Sequence, residues 1–149
     1  MEIKSLFGPI VKKETIDRIE KLSSDTVPHW GKMNAGQMLA HLQIPMGVAL
    51  GIRTVRANWM LRLIMPLFKK ALYDKRPWKR GLPTDRTFVT IGQEKDFQTE
   101  KARVLELVGR FTQDQIVADR HPIFGHLTHE QWSMATWKHF NHHLRQFGV

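Results

Sequence analysis

T-H-E-Q-W-S-M-A-T-W-K-H-F-N-H-H-L-R-Q-F, residues 128–147, carries the marks of an amphipathic helix with defined ends. Thr128, followed three residues later by Gln131, fits a capping box, in which hydroxyl and amide satisfy backbone N–H groups that the first helical turn leaves unpaired. Gly148 follows the stretch, as a helix stop should. With Trp132 as the origin and a step of about 100° per residue, Ala135, Thr136, His139, Phe140, His143, Gln146 and Phe147 fall on its face. Met134, Lys138, Asn141 and Arg145 fall opposite, and His142 lies on the flank.

His139 and His143 therefore point inward, one turn apart, with about 6 Å between their Cβ atoms. Two imidazoles at that separation can share one metal ion, or each can bond to a carbonyl or a water inside a polar patch of core. A metal needs a third ligand from elsewhere in the chain.

The rest of the chain limits where that ligand can come from. None of the 149 residues is cysteine, which excludes disulfide scaffolds, thiolate zinc sites, iron–sulfur ligation and a cysteine nucleophile. Histidines and carboxylates remain. The length suits one domain, residues 1–149, with a substantial core. The N-terminal segment has no signal-peptide pattern. The most apolar run, Trp59 to Phe68, is interrupted by Arg62 and Pro66 and is shorter than the roughly 20 residues a membrane span requires. A soluble cytoplasmic protein without a membrane span is the expectation.

Four further segments read as helical. Residues 11–23 place Ile16, Ile19 and Leu22 on one stripe. Asn34 with Gln37 caps a helix running to about Leu50, on which Met38, His41, Leu42, Pro45, Val48 and Ala49 share a face. His41 is thus inward as well. Pro45 removes the N–H that would bond back to the His41 carbonyl, so a kink is expected there. Residues 58–73 form an extra segment, apolar on more than one face, that asks to be covered on several sides or to meet another subunit, as in a homodimer. Asp96 to Phe111 resumes a helix with Phe97, Ala102, Val104, Leu105 and Val108 on its pattern. Between the last two, Pro77 to Gln93 reads as a long ordered loop in which Thr87–Ile91 alternates weakly like a strand. His121, His126 and His129 lie in and after a turn, where surface histidines are ordinary, and His29 reads as a loop residue.

The formal net charge is +9, and it is concentrated. Arg53, Arg56, Arg62, Lys69, Lys70, Lys75, Arg76, Lys79, Arg80 and Arg86 face only Asp74 and Asp85 across residues 53–86. Such a field attracts anions or simply keeps a solvated face soluble. A non-catalytic module binding an anionic partner through this segment is the rival to an enzyme. Nucleic acid is not the expected partner, because the aromatic residues are not interleaved with the basic ones and no nucleic-acid motif is present.

His41 on one helix and His139 with His143 on another converge if the two pack side by side, which is a recognised way to build a metal site. Three neutral imidazoles leave a coordination position open to water or substrate. His142, Gln37 and Thr136 are close enough on the helices to be partners of the ligands.

The block Q-M-L-A-H-L around His41, after the lead-in Trp30-Gly31-Lys32-Met33, and the closing H-P-I-F-G-H-L-T-H-E-Q-W with H-x-x-H-H-L-R-Q-F-G-V resemble the DinB/YfiT-like superfamily of metal-dependent four-helix bundle proteins. The resemblance covers most of the chain. It implies an all-α, up-down-down-up bundle, to which residues 58–73 and the loop 77–93 are additions, with His41, His139 and His143 holding zinc, nickel or a similar divalent ion. It also implies transfer or isomerisation dependent on a low-molecular-weight thiol; a three-histidine metal could equally activate water for hydrolysis, and the basic field of residues 53–86 points to a small anionic substrate.

Overall fold

The computed structural model describes residues 1–82 and 86–149. Within them the chain is mostly helical: α1 Pro9–Glu20, α2 Ala35–Ala49, α3 Trp59–Ile64, α4 Phe97–Arg110 and α5 His129–Gln146. Short 3-10 helices cover Met65–Leu72, Arg86–Phe88 and Gln113–Gln115. Two two-residue strands, β1 Arg120–His121 and β2 Gly125–His126, pair antiparallel with Arg120 opposite His126 and His121 opposite Gly125.

The helix ends follow their cap chemistry. Complete capping boxes open α2 at Asn34 and α5 at Thr128, and the Asp96 carboxylate accepts from Thr99 N at 2.8 Å to open α4. Pro9 starts α1, where its missing N–H costs nothing.

The core lies around α2, which packs on α4 and α5, while α1 packs on those same two helices. The one-face expectation for α2 is corrected by this position: thirteen of its fifteen residues are buried. A helix enclosed on all sides has no solvent face to leave polar, and its sequence is accordingly apolar all round. The helix runs through Pro45 to Ala49 unbroken. At its first turn Gly36 allows close approach, since a Cβ there would stand 2.8 Å from Lys95 O.

On α4 the inward stripe is Phe97, Glu100, Val104 and Val108, and Ala102 is exposed. Glu100 takes the inward place because Gln43 Nε2 meets its carboxylate at 2.7 Å and its carbonyl at 3.1 Å. A buried acceptor is tolerated when it is bonded.

The segment 58–73 divides after Ile64. Pro66 near the start of the next stretch brings a tighter 3-10 helix in place of the expected continuous α-helix. Leu61 and Met65 of this segment pack against a small cluster of Ile44, Phe88 and Ile123. The weak alternation at Thr87–Ile91 forms no strand, as the loop reading expects; residues 86–88 make a 3-10 turn, and no described neighbour pairs with them. Residues 83–85 of the loop 77–93 lie outside the described residues. No helix among the described residues is long and apolar enough to cross a membrane.

Candidate metal centre

The capping box at Asn34 sets the phase of α2, and that at Thr128 sets the phase of α5; the packing of the two then brings His41 against His139 and His143. The three rings form a near-symmetric propeller. Each pair of centroids is 4.8 Å apart, and the interplanar angles are 78°, 77° and 78°. One nitrogen from each ring lies within 4.8 Å of the others, so the group can hold a metal ion. Three imidazoles on a tetrahedral ion with bonds of about 2.1 Å would have centroids about 5 Å apart, close to the spacing seen. His41 and His143 are 7% and 9% exposed, and His139 is half-buried.

Hydrogen bonds fix which nitrogen of His41 and of His143 faces the centre. His41 Nδ1 is 2.7 Å from Phe88 O. A carbonyl only accepts, so Nδ1 carries the proton and Nε2 presents its lone pair to the middle of the triad. His143 Nδ1 is 2.7 Å from Gln146 Oε1, and the Gln146 amide is itself oriented by donating from Nε2 to Trp30 O. His143 Nδ1 is thereby the donor and its Nε2 is free to ligate. His139 Nε2 lies 2.8 Å from His41 Nε2, so a single proton between the two lone pairs holds the metal-free arrangement together.

Burial keeps the rings neutral. It is the largest cause lowering the pKa of His41, partly opposed by the Phe88 bond. Burial also takes His139 well below the ordinary value, reinforced by His41 and His143, and takes His143 down to about 3. Neutral imidazole is the metal-binding form. No carboxylate joins the group among the described residues.

The expected partners fall differently. His142 stands edge-on to His143, with centroids 5.0 Å apart. Gln37 does not face the rings as a bonding partner; its amide closes the cap at Asn34 and donates to Gln93 O, and its carbonyl accepts from Thr90 Oγ1. Those bonds fasten the loop whose Phe88 carbonyl orients His41. Thr136 is buried one turn before the His139 ring. The orienting groups in direct contact, Phe88 O and Gln146, were not anticipated. Gln146 carried a signal, being three residues beyond His143 on the same face; a backbone carbonyl carries none.

Two other residues depart from expectation. Lys138, placed opposite the inward face by the helical count, is 1% exposed. Its Nζ donates to Ala71 O, Asp74 O and Asp74 Oδ1 at 2.8, 2.9 and 2.8 Å, because the added segment 65–74 folds over that side of α5. Hydrogen bonding from Lys138 and then Arg76 holds the Asp74 carboxyl down at about 2. Trp78 Nε1 donates to the same Ala71 carbonyl at 2.7 Å, which sets its ring 5.8 Å from His139 and 5.7 Å from His142. His121 is half-buried and bonded rather than a free surface histidine. Its Nδ1 accepts from Ile123 N and Phe124 N, its ring lies against Trp132 and Phe124, and burial lowers its pKa to about 4. It is a structural histidine of the β1–β2 turn, while His126 and His129 are exposed.

Beside the triad a cavity of about 320 Å³ is lined by Trp30, Trp78, His142, Arg80, Arg145 and Asn141, among others. Arg80 lies over the Trp30 ring, 4.4 Å from its centroid, and no acidic side chain lines the space among the described residues.

No curated protein and no solved structure matches the chain. A family model does, over residues 11–148, and the chain belongs to that family, described as protein of unknown function (DUF1569).

Proposed function

We propose that this member of the DUF1569 family is a metal-dependent enzyme of DinB-like, four-helix-bundle type, in which His41, His139 and His143 hold one divalent ion, zinc or nickel. The observation that carries the reading is the propeller of three neutral rings with two ligating nitrogens already selected by Phe88 O and Gln146. A purely structural role would ask only that buried nitrogens be bonded; it would not ask for three-fold convergence. A divalent ion held by neutral imidazoles alone keeps its full charge, so it would acidify a thiol or water and polarise a carbonyl.

The surrounding residues fit transfer or hydrolysis on a small anionic substrate, with a low-molecular-weight thiol or water as nucleophile. Arg80 and Arg145 line the cavity and would hold the anion. Trp30 and Trp78 would cover the apolar part of the substrate and exclude water from the histidines. His142 borders both the cavity and His143, a place from which a neutral imidazole can accept a proton from the nucleophile. The whole chain acts as one domain in this reading, in the cytoplasm.

The test is metal content by plasma mass spectrometry on tag-free protein, beside a His41→Ala, His143→Ala double variant whose helicity is checked by circular dichroism. About one equivalent, lost in the variant, supports the site. Screens of thiol transfer and hydrolysis with carboxylate- and phosphate-bearing substrates then address the reaction. Protein that takes up no divalent ion even after incubation with zinc and nickel defeats the proposal.

A further inference from the structure

The added segment is apolar on both sides. Leu61, Met65 and Leu72 face the body of the protein, where apolar contacts cover them. The opposite side carries Trp59, Met60, Leu63, Ile64, Leu67 and Phe68, all exposed, with Trp59 at 69%, Leu63 at 70% and Leu67 at 81%. Six large apolar side chains grouped within ten residues of sequence are not the scattered exposure that any soluble surface shows. In α3 residues 60, 63 and 64 are spaced to share one stripe, and Leu67 and Phe68 in the 3-10 helix that follows are exposed as well.

The charge around this stripe selects its occupant. From Leu50 to Tyr73 the chain has Arg53, Arg56, Arg62, Lys69 and Lys70 and no acidic residue, and the first acid after them, Asp74, is bound by Lys138 and Arg76. A second copy docking through the same face would bring an identical set of cations and no acidic residue of this segment to pair them. An anionic bilayer surface offers both things the face lacks: a negative layer for the rim, and an apolar layer just beneath it for the stripe. Trp and Phe among the apolar residues, with Lys and Arg on the flanks, are the composition of a segment lying in a lipid interface.

We propose that α3 and the following 3-10 helix, residues 59–72, form a peripheral docking surface for anionic lipid bilayers, inserting Trp59, Leu63, Leu67 and Phe68 while Arg56, Arg62 and Lys70 contact the headgroups. The proposal is independent of metal binding and of catalysis. It concerns a helix lying on a membrane, with the rest of the protein outside it.

The experiment is co-sedimentation of the full chain with vesicles of phosphatidylcholine alone and of phosphatidylcholine mixed with phosphatidylglycerol, at low and high salt. Binding to the anionic vesicles only, weakened by salt, is expected, with Trp fluorescence quenched by bromine-labelled lipid chains and that quenching diminished in Trp59→Ser. Replacing basic residues singly, as in Arg62→Ser or Lys70→Ser, should weaken binding about five-fold each. Leu67→Gln with Phe68→Ser should abolish it while thermal stability stays unchanged, because those side chains are exposed. Absence of binding to the anionic vesicles at low salt overturns the proposal. So does wild-type protein that dimerises through this face and becomes monomeric in Leu67→Gln, which assigns the stripe to a second copy. Equal binding to vesicles by the wild type and the apolar variant also overturns it, by reducing the surface to a cationic patch.

Discussion

Replacing Gln146 by Leu keeps the side chain's approximate volume and removes both of its hydrogen bonds. In the structure Gln146 accepts from His143 Nδ1 at 2.7 Å and donates to Trp30 O, and it is 3% exposed, so water cannot readily take its place. Loss of an outer partner of a ligating histidine typically weakens metal binding about 10–100-fold, which corresponds to roughly 1.4–2.7 kcal/mol. The metal-free protein should also lose stability, because the imidazole N–H and the carbonyl are left unbonded at about 1–3 kcal/mol each. At about 2–4 °C per kcal/mol for a chain of this size, that is a fall in Tm of several degrees. Gln146→Glu separates the two effects: the carboxylate still accepts from His143, and does so more strongly, but it cannot donate to Trp30. The assay is competition for zinc against a chromophoric chelator at neutral pH, with Tm measured on metal-free and loaded protein. Gln146→Leu should show the affinity loss and Gln146→Glu should largely retain wild-type affinity. A folded Gln146→Leu protein that binds zinc as tightly as the wild type refutes the assignment of Gln146 as the group that orients His143.

Gly31 has φ +86°, and a Cβ there would run into the Gln146 amide nitrogen; Gly31→Ala should therefore lower zinc affinity several-fold without touching a ligand, and chelator competition showing unchanged affinity would count against the Gln146 relay. Lys138→Met should cost about 1–3 kcal/mol, since it leaves two carbonyls and one Asp74 oxygen without their donor while Asp74 keeps Arg76, and denaturant unfolding within error of wild type would reject that role. The Asp74 carboxyl is held below its ordinary 3.8 at about 2, so the stability it contributes is complete above pH 3.8 and is lost as pH falls through about 2; Lys138→Met should remove much of that acid dependence. His121 is lowered from 6.5 to about 4, so the unfolded chain takes up its proton first as pH drops: its contribution is present above 6.5 and disappears on the way down to about 4. That shift is worth about 3 kcal/mol, and in His121→Asn, whose side-chain oxygen can still accept from Ile123 N, the stability difference between pH 7 and pH 4 should shrink by about that amount; equal differences in the two proteins would refute the assignment.

Comparison of sequence and structure separates local from non-local information. Cap chemistry and a 3.6-residue period are properties of neighbours in the chain, so Asn34, Asp96 and Thr128 marked their helices correctly, and the inward phase of His41, His139 and His143 was legible from spacing. That the three would meet needed α2 and α5 to pack, which the resemblance implied and spacing did not. Lys138 was misplaced because a helical count finds the polar side of an isolated helix, and here residues 65–74 fold onto that side. The one-faced picture of α2 failed for the same reason, with neighbours enclosing it all round. His121 lay hidden in a turn whose fold depends on the imidazole itself.

The sequence by itself determined the main helices, the lack of any cysteine ligand or nucleophile, the concentration of positive charge and the set of histidines that face inward, because each depends on residue type and on contacts within a turn or two. Only the tertiary structure decided that those histidines form a propeller, that Phe88 O and Gln146 choose their ligating nitrogens, and that the outer stripe of residues 59–68 stays uncovered. Those outcomes depend on backbone carbonyls and on surfaces brought together from distant parts of the chain: Phe88 reaches His41 across 47 residues and Trp30 reaches Gln146 across 116. A carbonyl looks the same in every residue, and its placement exists only once the chain has closed upon itself.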